Sequence, residues 1–97
     1  RDLAERCAER LYRQDATTRA LGMEVIEIAP GHAVLSMVVQ PWMLNGHHSC
    51  HGGMIFSLAD SAFAFACNSE NAVNVAAGCT IDYLKPGRLD DRLSAHA

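Results

Sequence analysis

The sequence predicts an α+β fold in which an antiparallel sheet curls around one long buried helix. Two observations carry that prediction. Residues 54–67 (MIFSLADSAFAFAC) are apolar nearly all round, rich in alanine and poor in β-branched residues, which is the composition of an interior helix. The segments on either side of it alternate apolar and polar residues at a period of two, the signature of strands. The resulting order is helix, strand, strand, buried helix, long strand, strand, and strands that outlast a single helix must wrap it.

Taken in order, residues 2–14 repeat apolar pairs (Leu3-Ala4, Cys7-Ala8, Leu11-Tyr12) between charged residues, which predicts an amphipathic helix. Met23, Val25 and Ile28 with Glu24 and Glu27 predict a strand, Pro30-Gly31 a tight turn, and residues 33–39 the returning strand of a hairpin, ended by Pro41. A loop over residues 42–51 leads through Gly52-Gly53 into the buried helix. Residues 71–84 predict a long strand with Val73, Val75, Ala77, Cys79, Ile81 and Tyr83 on one face. Lys85-Pro86-Gly87 forms a turn, and Leu93, Ala95 and Ala97 begin a further strand. The 97 residues are expected to form a single domain. Four strands cover such a helix poorly, so additional C-terminal strands, apparently missing from this chain, and a partner subunit are both expected.

The formal net charge of −3 and the scattered cations argue against nucleic-acid binding. No apolar run is long enough to span a bilayer. The N-terminal residues do not resemble a signal peptide, and the four cysteines have no paired spacing, so reduced thiols and a cytoplasmic location are expected.

The charge distribution singles out one residue. From residue 28 to residue 69 the only Asp, Glu, Lys or Arg is Asp60. In a buried helix a lone carboxylate is desolvated, which favours a general base or nucleophile over an ordinary capped acid. Gly52 and Gly53 at the helix start leave backbone N–H groups unshielded at the positive end of the helix dipole, where they can hold a carbonyl oxygen; a glycine-rich turn is the simpler alternative. Asn45-Gly46 reads as a turn. His47, His48, Cys50 and His51 are crowded together without finger-like spacing, so no metal site is expected, and His51 is expected to cap the turn and to bond a neighbour such as Asn45. Gly52 and Asp60 lie eight residues apart, about 12 Å along a helix. Asp60 therefore cannot serve Gly52 of its own chain, and a shared site requires an antiparallel helix from a twofold-related subunit.

The stretches Leu44-Asn45-Gly46-His47-His48-Ser49-Cys50-His51-Gly52-Gly53, Phe56-Ser57-Leu58-Ala59-Asp60 and Cys79-Thr80-Ile81-Asp82-Tyr83-Leu84-Lys85-Pro86-Gly87 resemble the hotdog-fold acyl-CoA thioesterases, in particular the phenylacetic acid degradation type. The resemblance covers essentially the whole chain. It implies hydrolysis of an acyl-CoA, such as phenylacetyl- or hydroxyphenylacetyl-CoA, to a free acid and coenzyme A. Coenzyme A is then part of the substrate, and no cofactor is implied. Asp60 would activate water or attack directly, the Gly52 N–H would polarise the thioester carbonyl, and Asn45 and His51 would orient the site through a mutual hydrogen bond. Gly53, Ser61, Thr80 and Lys85 are candidate substrate contacts, with Lys85 and Arg88 the local cations for coenzyme A phosphates. Trp42, Met43, Met54 and Phe56 are candidates to line an acyl pocket, or else ordinary core residues. The resemblance also implies a homodimer with shared sites and a tetramer of two dimers. A hotdog hydroxyacyl-thioester dehydratase using His51 as base, a non-catalytic acyl-CoA-binding module and a metal-binding domain are the competing expectations.

Overall fold

The computed structural model describes residues 3–69 and 87–97. Its elements are α1 (Leu3–Gln14), α2 (Ala16–Ala20), β1 (Glu24–Ala29), β2 (His32–Val38), α3 (Gly52–Cys67) and β3 (Arg92–His96), with a single 3-10 turn at Pro41–Met43. The long strand predicted at 71–84, and with it Thr80 and Lys85, lies outside the described residues.

Helix α1 turns Ala4 and Ala8 inward, with Leu11 and Tyr12 packed against the core. The Tyr12 hydroxyl donates to the Met23 carbonyl at 3.0 Å, tying the helix to the entrance of β1. Helix α2 was not predicted: its five residues, ATTRA, carry no apolar stripe. Its start is nonetheless marked in the sequence, because the Asp15 carboxylate accepts the Thr18 N–H as an N-cap.

Strands β1, β2 and β3 form an antiparallel sheet in that order. The hairpin turns at Pro30-Gly31, where Gly31 takes φ +71°, a conformation glycine adopts freely. The register shifts between Val25 and Glu27, so Ile26 is an extra residue in β1. That bulge explains why the inward residues fall at Met23, Val25 and Ile28 rather than in strict alternation.

Strand β2 and its continuation present Ala33, Leu35, Met37 and Val39 to the core, all fully buried. Helix α3 lies on that face and contributes Leu58, Ala62 and Phe65. Ser69, just past α3, donates to the Ala66 carbonyl and accepts the Gly31 N–H, each at 2.7 Å, which joins the helix end to the hairpin turn. Three described strands cover only one side of α3. Gly52, Gly53, Phe56 and Asp60 are exposed on the other, so the helix expected to be wholly buried is covered on one face by the described residues. No helix among the described residues is long and apolar enough to cross a membrane.

Candidate active site

The site begins in the loop that delivers the chain to α3. Asn45 organises it: its Oδ1 accepts the His47 N–H (2.8 Å), the Ser49 N–H (3.2 Å) and the Ser49 hydroxyl (3.3 Å). This is the side-chain turn that the Asn-Gly pair predicts. Leu44 and Cys50 pair across the loop as an isolated bridge. The loop base is pinned by backbone bonds from the Cys50 N–H to the Gly87 carbonyl and from the His51 N–H to the Met43 carbonyl, both 2.7 Å. A Cβ on Gly87 would come within 3.1 Å of Cys50 Cβ, so glycine there permits the close approach. Cys50 is buried, and burial pushes its thiol pKa up; a thiol held neutral in this way is no nucleophile.

His51 is the N-cap of α3, with φ −61° and ψ 134°, and its Nδ1 accepts the Gly53 N–H at 3.2 Å. The expected capping role is present, but the expected His51–Asn45 hydrogen bond is not formed. The physical reason is that Asn45 Oδ1 already serves three donors from its own turn and His51 Nδ1 is committed to the helix. Capping also takes the Gly53 N–H and leaves the Gly52 N–H, at the helix's first turn, without an acceptor among the described residues. This one orphan donor lies at the positive end of the helix dipole.

Gly52 itself needs explanation. It sits in a helix without positive φ, and a Cβ there would meet nothing within 4 Å. Glycine in a helix is about 0.5–1 kcal/mol less favourable than alanine, so packing within this chain does not require it. Open space beside an unpaired N–H suits something that approaches from outside.

Asp60 lies two turns further along the same helix and the same exposed side. The sequence led us to expect a desolvated carboxylate; within the single chain Asp60 is exposed, because no described strand passes over that side of α3. Phe56, midway between Gly52 and Asp60, is 69% exposed. At 1.5 Å per residue, Gly52 and Asp60 are about 12 Å apart, so one chain does not bring its own donor and carboxylate together.

The remaining expected contacts separate. Ser61 is buried, and its hydroxyl shares a 2.9 Å hydrogen bond with the Thr18 hydroxyl of α2. It is thereby drawn into the packing against α2. Met43 is likewise a core residue, while Trp42 is exposed and Met54 half-buried. Arg88 is exposed at the turn into β3, its N–H held by Asp91. Among the described residues no three His, Cys, Asp or Glu side chains gather as a metal site. A separate groove between α1 and β1 is lined by Glu5, Glu9, Tyr12, Arg13 and Glu24, an acidic rim unsuited to phosphate.

A long apolar helix laid on one face of an antiparallel sheet is the arrangement of the hotdog fold. The model of the thioesterase superfamily matches residues 47–97, and the chain belongs to that superfamily. The acyl-coenzyme A thioesterase PaaI of Escherichia coli is 53% identical over 90 residues, covering 93% of this chain and 64% of that protein. The structure of the E. coli PaaI protein from the phenylacetic acid degradation operon is similar at a TM-score of 0.85 and 52% identity, covering 96% of this chain and 67% of that one. A hypothetical thioesterase from Streptococcus pneumoniae, solved with coenzyme A, is similar at a TM-score of 0.69 and 31% identity, covering 88% of this chain and 66% of that one. The chain thus spans a little under two thirds of the length of the E. coli PaaI sequence.

Proposed function

We propose that the protein hydrolyses acyl-CoA thioesters, with aryl-acetyl-CoA such as phenylacetyl-CoA as the favoured substrate, at sites shared between two copies of the chain. The observation that carries this reading is the placement of Gly52 and Asp60 on one open side of α3, two turns apart. The E. coli relative named an acyl-CoA thioesterase, its structure's assignment to phenylacetic acid degradation and the coenzyme A held by the S. pneumoniae protein support it.

In this reading the thioester carbonyl lies against the Gly52 N–H of one copy, and Asp60 of the other copy faces its carbon. Asp60 takes a proton from water as the hydroxide adds, or adds directly to form an anhydride that water then opens. The tetrahedral oxyanion is held by the helix N-terminus. Its collapse breaks the C–S bond, and the departing thiolate takes up a proton, leaving a free acid and coenzyme A. Asn45 and His51 hold the loop and helix start in place, each through its own bonds. Gly53, Thr80 and Lys85 contact the substrate, Lys85 at the phosphates; two dimers pair into a tetramer, and the protein works in the cytoplasm.

Thiol release from phenylacetyl-CoA, measured beside a panel of aliphatic acyl-CoAs, tests the activity. Asp60→Asn is expected to lower kcat at least about 10²-fold, the scale of general acid–base catalysis, with the oligomer unchanged. Normal turnover in Asp60→Asn would remove the mechanism. Binding of phenylacetyl-CoA without thiol release would favour a non-catalytic module instead.

A further inference from the structure

The turn that Asn45 builds holds its own side-chain amide beside the peptide of Gly46, with every group needed for a reaction between them in place. We propose that Asn45-Gly46 is a self-modification site, at which the Gly46 backbone nitrogen displaces the Asn45 side-chain amide to form a succinimide that water opens to aspartate or isoaspartate. This chemistry belongs to the loop itself and does not depend on the thioesterase reading.

The electrophile is the Asn45 amide carbon. Its Oδ1 accepts the His47 N–H at 2.8 Å, the Ser49 N–H at 3.2 Å and the Ser49 hydroxyl at 3.3 Å. Three donors on one oxygen draw charge from the carbonyl carbon and stabilise the oxyanion that attack creates. The His47 bond also folds the side chain back over the Gly46 peptide, which keeps the amide carbon beside the Gly46 nitrogen. The nucleophile and the leaving group are uncommitted: neither the Gly46 N–H nor Asn45 Nδ2 has a hydrogen-bond partner among the described residues. Gly46 carries no Cβ, and nothing lies within 4 Å of where one would stand, so the approach is unhindered. Asn68 shows the opposite arrangement. Its Nδ2 donates to the Ala64 carbonyl at 2.8 Å, and the N–H of the following Ser69 donates to the Ala66 carbonyl at 3.4 Å. Both its leaving group and its neighbouring nitrogen are therefore held.

In the first step the Gly46 nitrogen gives its proton to solvent and bonds to the Asn45 amide carbon. The bond from that carbon to Nδ2 then breaks, the departing nitrogen takes up a proton, and ammonia leaves. Closing the ring within one dipeptide costs little orientational entropy. Water next adds to either ring carbonyl. Cleavage between the nitrogen and the former side-chain carbon leaves an ordinary aspartate, whose carboxylate still accepts from residues 47 and 49. Cleavage at the original main-chain carbonyl leaves isoaspartate, in which the chain runs through the side chain and is longer by one carbon. That lengthened turn is strained between its fixed ends, the Leu44–Cys50 bridge and the 2.7 Å bonds from Cys50 to Gly87 and from His51 to Met43.

The test is ageing of the purified full chain at neutral pH, followed by ammonia release, isoaspartate-specific enzymatic methylation and peptide mapping. Acid is expected to accumulate at position 45 while Asn68 stays intact. Ser49→Ala, which removes the hydroxyl donor alone, is expected to slow conversion about two- to tenfold, the worth of one exposed hydrogen bond. Ser49→Thr keeps that hydroxyl and is expected to convert at the wild-type rate. Gly46→Ala, for whose Cβ there is room, is expected to slow conversion by crowding the attacking nitrogen. The isoaspartyl form, isolated chromatographically, is expected to unfold at least about 4 °C lower than the unaged protein. An Asn45 still intact after ageing, or equal conversion at Asn68, would overturn the site. A Ser49→Ala protein that converts as fast as wild type or faster would show that the turn shields the amide instead of activating it. An isoaspartyl form with an unchanged Tm would remove the strain assigned to the pinned turn.

Discussion

Replacing Gly52 with proline takes away one hydrogen-bond donor and disturbs the fold very little. Proline is favoured in the first turn of a helix, where its missing N–H has no intrahelical partner. The residue before it must be extended, and His51 already has φ −61° and ψ 134°. The space beside Gly52 is open, with nothing within 4 Å of a built Cβ. Stability is therefore expected to change by no more than about 1 kcal/mol, which for a domain of this size is a Tm shift within about 8 °C. Activity behaves differently: loss of one oxyanion donor costs about 10²–10³-fold in kcat. Mixing Gly52→Pro chains with Asp60→Asn chains sharpens the test. Random pairing makes about half of the dimers mixed. Each mixed dimer has one site with both defects and one with neither, so the mixture should recover about a quarter of wild-type turnover. The assay is thiol release, beside thermal unfolding and light scattering. A folded Gly52→Pro protein with near-normal kcat would refute the role of the N–H, and no recovery in verified mixed dimers would refute the shared site.

Thr18→Val leaves the buried Ser61 hydroxyl without its partner and is expected to lower unfolding free energy by about 1–3 kcal/mol. Adding Ser61→Ala should recover part of that loss, and kcat/KM for phenylacetyl-CoA should stay within a few-fold of wild type in folded protein. The Cys50 thiol, pushed above its ordinary value by burial, is expected to react with a thiol reagent more slowly than the half-buried Cys7 and Cys67. The sign of its effect on stability follows from proton binding. The folded state holds the proton more tightly, so its contribution is complete below the unfolded thiol's pKa and is lost as pH rises through the folded one. Denaturant titrations across that alkaline range check this. Phe65→Ala, at a fully buried position under β2, is expected to cost about 3–5 kcal/mol, read by chemical denaturation.

The parts of the fold that were legible in the sequence are those governed by local periodicity and turn chemistry. The α1 stripe, the Pro30-Gly31 hairpin, the glycine start of α3 and the strand around Leu93 are all where pattern places them. Helix α2 was missed because five residues cannot display a 3.6-residue period, although Asp15 marked its start. Local pattern also under-determined hydrogen-bond partners. Asn45 and His51 were joined on the premise that neighbouring polar groups pair, yet Asn45 satisfies its own turn and His51 its own helix. Ser61 is next to Asp60 in sequence, but adjacent helical residues point about 100° apart, and the Ser61 hydroxyl bonds that of Thr18.

The largest difference, the exposure of Asp60, has another origin. The apolar character of α3 records how much of the helix is buried in the state in which the protein works, and says nothing of which chain does the covering. Among the described residues the sheet accounts for Leu58, Ala62 and Phe65, and Phe56 and Asp60 are exposed. An apolar helix with an aromatic residue and a lone carboxylate left exposed is incomplete as a soluble surface. Desolvation of Asp60, inferred from a neutral segment, is then a property to be sought in the proposed dimer. If the proposed sharing of sites holds, dissociating the proposed dimer by dilution should abolish turnover while each chain keeps its fold. Turnover per chain that stays constant through dissociation would show that Gly52 and Asp60, two helical turns apart, do not act together in one site.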